Sequence, residues 1–174
     1  MRDNNPVLVF EHKLLYGSKG REAVGNIDLT AEVPEEEYLV PMGKAVTKRA
    51  GSDVTIVATH VSLYRALAAA QLLSAEGVEC EVIDPLTLFP MDFESIFASV
   101  SRTGRLVIAH EDTLSGGWGA ELAARVAEHR IEYLETGIRR VATADVPVPY
   151  SPVMENAIVP SVERIAGAVR QALG

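Results

Sequence analysis

At 174 residues the chain has room for one domain with a sizeable core rather than two full ones. Apolar residues make up 48% and charged residues 23%, the balance of a soluble globular protein, and no apolar run approaches the length of a membrane span. A net charge of −8 disfavours nucleic acid, whose phosphates need clustered Lys and Arg, and suits a basic protein partner. Cys80 is the single cysteine, which excludes an intrachain disulfide and points to a reducing, cytoplasmic setting. Residues 1–10 lack the layout of a signal peptide.

Val7 to Phe10 reads as a short strand after Pro6. A polar stretch with no sustained periodicity then runs to about Tyr38 and reads as a linker or extended arm. Such a long loop is unusual inside a compact domain. Val7 to Phe10 is therefore expected to belong to another sheet, from upstream sequence or another chain.

From Pro41 the pattern is regular. Lys44 to Lys48 and Val54 to Thr59 read as strands and, locally, as a hairpin across Ala50 to Asp53. Ser62 is the expected cap of a helix reaching Ala75, with Leu63, Ala66, Leu67, Ala70 and Leu73 on one face and Gly77 ending it. Cys80 to Ile83 is the next strand. Asp92 caps a helix that buries Ile96, Phe97 and Val100 and closes at Gly104. Leu106 to Ala109 is a strand, followed by a helix from about Ala120 to Tyr133 and a strand from Ile138 to Ala142. A Pro-rich arm, Val146 to Pro160, leads to a helix capped by Ser161 with Val162, Ile165, Val169 and Leu173 inward. Alternating strands and helices imply a mostly parallel sheet covered on both faces.

The most informative stretch is Arg105 to Glu121. In an open α/β sheet, ligands and partners collect at the carboxyl ends of strands, where His110, Glu111, Asp112 and the glycines 116, 117 and 119 stand. A His–carboxylate pair could serve acid–base chemistry, but no second His or Cys lies at metal-ligand spacing. The Gly-Gly-x-Gly turn could cradle phosphate, yet it lacks both the dinucleotide fingerprint and the P-loop Lys, and its acidic neighbours would repel phosphate. The simpler expectation is a tight turn that starts a helix close to the sheet. Trp118 is a candidate interface anchor. His12, in the arm, suits contact with another chain. His60 reads as structural, His129 as a solvated or dipole-complementing residue, and Cys80 as an inert core thiol.

Several segments, in order, resemble the β subunit of thiamine-diphosphate-dependent 2-oxoacid dehydrogenases of the pyruvate and branched-chain type. They are Pro6-Val7-Leu8-Val9-Phe10-Glu11-His12 with Leu15-Tyr16-Gly17; Val40-Pro41-Met42-Gly43-Lys44-Ala45; Val82-Ile83-Asp84-Pro85-Leu86-Thr87-Leu88-Phe89-Pro90; His110-Glu111; Gly116-Gly117-x-Gly119-Ala120-Glu121; and Asp145-Val146-Pro147-Val148-Pro149-Tyr150. The resemblance implies residues 1–37 as the last strand of a pyrimidine-binding domain plus a connecting arm, and residues 38–174 as a transketolase C-terminal-like domain. The fold it implies is a three-layer α/β/α sandwich, a five-stranded mixed sheet in order 1-3-2-4-5 with the first strand antiparallel. That order sets aside the local hairpin.

The same resemblance implies that thiamine diphosphate and Mg²⁺ serve the whole enzyme while the isolated chain binds neither and carries no catalytic residue. The family's cofactor-activating Glu and catalytic His lie before the segment matched here. Implied partners are an α subunit, a second β subunit in a dimer or heterotetramer, and the basic peripheral subunit-binding domain of the acyltransferase. Glu135, Leu173 and Gly174 match the docking positions, and His12, His110, Glu111 and Trp118 the subunit interface. Arg21 to Ala31 is an apparent insertion, and His60 replaces a small residue. Two rival readings are another transketolase-superfamily C-terminal domain, such as that of 1-deoxyxylulose-5-phosphate synthase, and a free-standing interaction module.

Overall fold

The computed structural model describes residues 3–16, 29–30 and 32–174. The Arg21 to Ala31 insertion, apart from Leu29 and Thr30, lies outside the described residues. Five strands form one sheet: β1 (Val46–Arg49), β2 (Val54–Ala58), β3 (Cys80–Asp84), β4 (Leu106–Thr113) and β5 (Arg139–Thr143). Their order is β1-β3-β2-β4-β5; β1 runs antiparallel to β3 and every other pairing is parallel. This is the order the family resemblance implies. The local hairpin is overturned, because Val46 pairs with Asp84 and Thr47 with Ile83 rather than with β2.

The helices are α1 (His60–Ser74), α2 (Phe93–Thr103), α3 (Trp118–Arg130), α4 (Pro152–Ile158) and α5 (Val162–Leu173). α1 and α5 cover one face, where Leu63, Ala66, Leu73, Ile165 and Val169 join Val54, Ile56 and Val107 in a dry core. α2 and α3 cover the other, where Ile96, Val100, Leu122 and Val126 meet Val57, Ile83, Leu106 and Ile108. Strand β2 is buried along its whole length, as a central parallel strand should be. Its one hydroxyl is satisfied: Thr55 shares hydrogen bonds with Ser99 and Thr103, each 2.7 Å.

Local rules explain most boundaries. Asp92 caps α2 by accepting from the Ser95 amide at 3.2 Å, and Gly104 ends it in the left-handed conformation at φ 67°. Ser161 caps α5 by accepting from the Arg164 amide. Other boundaries moved. Helix α1 begins two residues before Ser62, whose buried hydroxyl has no partner among the described residues. The Pro-rich arm contains a short helix, α4, with Pro152 in its first turn, a position that tolerates the missing N–H. The inward face of α5 is Ile165, Ala166, Ala168, Val169 and Ala172, while Leu173 is partly exposed. Small residues win there because α5 packs closely on the alanines of α1.

Candidate functional site

Strand β4 does not stop at Ala109. It continues through His110, Glu111 and Asp112 to Thr113, beyond a break in its register with β5. The Thr143 hydroxyl donates to the Glu111 carbonyl at 2.7 Å across that break. The chain then turns through the glycines, and α3 starts at Trp118 with Gly117 as its cap.

His110 is fully buried, and neither ring nitrogen has a hydrogen-bond partner among the described residues. Trp118 lies across it at 5.0 Å between ring centroids. A Cβ on Gly119 would lie 2.6 Å from His110 Cδ2, and one on Gly117 would lie 2.8 Å from Cε1. The glycines thus make room for the imidazole. Burial lowers its pKa from the ordinary value, with Asp112 acting against that shift. His110 is thus enclosed by its own turn. The contacts it makes are inside this chain.

Glu111 and His12 also meet each other first. The His12 Nδ1 accepts from the Leu14 amide at 3.2 Å, which leaves Nε2 to donate to Glu111 Oε2 at 2.6 Å. Arg65 donates from Nη1 to Glu111 Oε1 at 3.0 Å and to the Pro160 carbonyl at 2.8 Å. His60 donates from Nε2 to the Phe10 carbonyl at 3.1 Å. Sequence reasoning missed Arg65 and linked neither His12 to Glu111 nor His60 to the arm. The pairings span 46 to 99 positions, and nothing local in the sequence signals them. Beside this network lies a cavity of about 780 Å³ lined by His12, Arg65, Glu111, Asn156 and Glu163 among others.

A second cluster sits at the opposite, amino edge of the sheet. Arg105 precedes β4 and Glu135 follows α3, and the two side chains form an ion pair. Arg105 Nε also donates to the Ala172 carbonyl at 3.2 Å, near the end of α5. One guanidinium thus ties Glu135 to the last turn of α5 through the Ala172 carbonyl. The other histidine, His129, is exposed in the last turn of α3, with its ring tilted against Phe97 at 5.6 Å between centroids.

Large apolar side chains stand exposed in the loops at the carboxyl edge. Phe89, 95% exposed, follows β3, and Tyr150, Val148 and Val153 follow β5. In the arm, Leu8, Val9 and Phe10 are exposed and form no strand with β1–β5. Monomeric surfaces rarely gather so many large apolar groups without a partner.

Thiamine diphosphate and Mg²⁺ do not fit the residues of the glycine turn. The Ser115 amide and hydroxyl already donate to Asp145, at 3.0 and 2.6 Å, and the Thr113 amide donates to Asp112 at 2.8 Å. A diphosphate would meet two carboxylates there and displace both. No group of three or more His, Cys, Asp or Glu among the described residues could hold a metal ion.

Comparison with known proteins extends this picture. Residues 43–165 match the family "Transketolase, C-terminal domain". The chain is 39% identical over 173 residues to the acetoin:2,6-dichlorophenolindophenol oxidoreductase subunit beta of Cupriavidus necator, covering 99% of this chain and 48% of that protein. It is 42% identical over 179 residues to the mitochondrial pyruvate dehydrogenase E1 component subunit beta of Mus musculus, covering 99% of this chain and 46% of that one. A solved structure of a split-gene transketolase, an inactive beta4 tetramer, superposes with a TM-score of 0.69 at 30% identity, over 82% of this chain and 45% of that chain. The chain spans about half the length of the curated relatives it matches.

Proposed function

The chain belongs to the transketolase C-terminal domain family, and from that premise we propose that it is the carboxyl-terminal assembly domain of a thiamine-diphosphate-dependent 2-oxoacid dehydrogenase β subunit. The observation that carries this reading is the near-complete match of the chain to half of such β subunits, where the unmatched half would supply the sheet for Val7 to Phe10. The exposed apolar loops at the carboxyl edge support it, because they suit a large permanent interface. In this reading the enzyme decarboxylates a 2-oxoacid and passes the acyl group to lipoate. The cofactor and Mg²⁺ sit on the α subunit and the thiamine-binding half of β, and this chain holds those parts in register. Residues 1–37 serve as strand and arm and residues 38–174 as the domain. The buried, lone Cys80 is consistent with a cytoplasmic site.

At the amino edge, Glu135 with Leu173 and Gly174 forms the docking surface for the basic subunit-binding domain of the acyltransferase. The Arg105 link between Glu135 and the last turn of α5, together with the net charge of −8, favours that role. Trp118 and the arm face the neighbouring subunit. A second substrate class is favoured by the Cupriavidus necator relative, which is named for acetoin.

The test is co-expression of this chain with an α subunit and a thiamine-binding β half. The complex is then assayed on pyruvate, branched-chain 2-oxoacids and acetoin. The expected result is co-purification, with turnover only when all three are present. Partners that turn over fully without this chain, or that never bind it, would overturn the proposal.

A further inference from the structure

His60 is the residue that neither the fold nor the proposed assembly accounts for. It opens α1 with a left-handed backbone, φ 49°, where a non-glycine residue is strained. Strain of this kind persists only where surrounding structure holds it, and it is a reason to ask what the side chain does. Its Nε2 donates to the Phe10 carbonyl at 3.1 Å, fifty residues away in sequence. Two residues further along the arm, the His12 ring stands 6.4 Å from the His60 ring and donates to Glu111 at 2.6 Å. Glu111 is itself fixed by the nearly buried Arg65, which is anchored to the Pro160 carbonyl. Two arm residues, Phe10 and His12, are thus gripped by two different elements, α1 and β4, and the second grip is braced from behind.

We infer that His60 and Glu111 are positioning residues: a clamp that fixes residues 10–12 against the carboxyl edge and sets the direction in which Val7–Phe10 leaves the domain. The clamp is intramolecular and stands whatever sheet receives that segment. Short local bonds complete it. The His12 ring accepts from Leu14, and the Leu15 amide donates to the His12 carbonyl at 2.9 Å, so the arm makes a turn of 3₁₀ helix, Lys13–Leu15, directly behind the grip.

The experiment is ¹⁵N relaxation on the whole chain, reading order parameters for residues 9–15 beside those of β2. In the wild type the arm should match the rigid core, about 0.85, and in Glu111→Ala and His60→Ala it should fall below about 0.6. His60→Gly separates clamp from domain stability. It removes the imidazole and relieves the strained φ, so Tm should hold or rise while the arm loosens. His12→Ala alters only the arm side and cannot unfold the core, so it stays informative if Glu111→Ala folds poorly. Order parameters unchanged in His12→Ala and His60→Gly, or an arm already below about 0.6 in the wild type, would overturn the clamp.

Discussion

Gly119 stands against the His110 ring with no room for a side chain between them: a Cβ there would lie 2.6 Å from Cδ2. The turn that looks like a phosphate loop is a seat for a buried imidazole. Gly119→Ala should therefore destabilise the domain by about 1–3 kcal/mol through overpacking, read as a lower denaturation midpoint. Combined with His110→Ala, the glycine substitution should cost much less than it does alone. Strictly additive losses in that double-mutant cycle would show that the two residues do not share the space.

The same burial gives a pH dependence. The His110 pKa is lowered in the folded chain, while the unfolded chain ionises near about 6.5. Below about 6.5 the unfolded state binds the proton more readily. The contribution is thus whole above that pH and is lost as pH falls towards the folded value. Urea unfolding between pH 7.5 and 5 should show this decline in the wild type and a flatter profile in His110→Met. Parallel profiles would mean that His110 is not responsible.

Burial pushes the Cys80 thiol up to about 11. With so little thiolate and no access, it should react with a disulfide reagent at pH 8 at least about a hundredfold more slowly than a free cysteine. Full reactivity should return in denaturant. Rapid labelling of the native chain would contradict the β3 packing.

Glu135→Lys places a second cation beside Arg105 and reverses the charge of the proposed docking surface. Binding of a basic acyltransferase subunit-binding domain should weaken at least about tenfold at low salt, with the difference shrinking as salt rises. Titration calorimetry with wild-type affinity for the variant would remove Glu135 from the docking surface.

The sheet order came into view through family resemblance, not through periodicity. Local pattern reads Lys44 to Lys48 and Val54 to Thr59 as a hairpin because adjacency in sequence is all it can see, whereas β1 pairs with β3 beyond α1. The helix caps at Asp92 and Ser161 were legible, since each is a side chain acting three residues away. The helix start at Gly117 was half legible: spacing announces a close approach but not that a histidine fills it. The His12–Glu111–Arg65 network was not legible at all. Its members lie on an arm, a strand end and a helix, and only the fold brings them together. Leu173 was misplaced because hydrophobicity ranks it above Ala172, while close helix packing prefers the smaller residue.

Both lateral edges of the sheet are basic. β1 carries Lys48, beside an Arg49 that pairs with Glu79, and β5 opens with Arg139 and Arg140. A second sheet approaching either side in register would bring cation against cation, and charged edges are one of the ways proteins discourage strand-to-strand aggregation. The acidic surplus of the chain lies elsewhere, so copies of this domain can stay apart sideways. Strand-to-strand pairing between copies at these edges is thereby disfavoured.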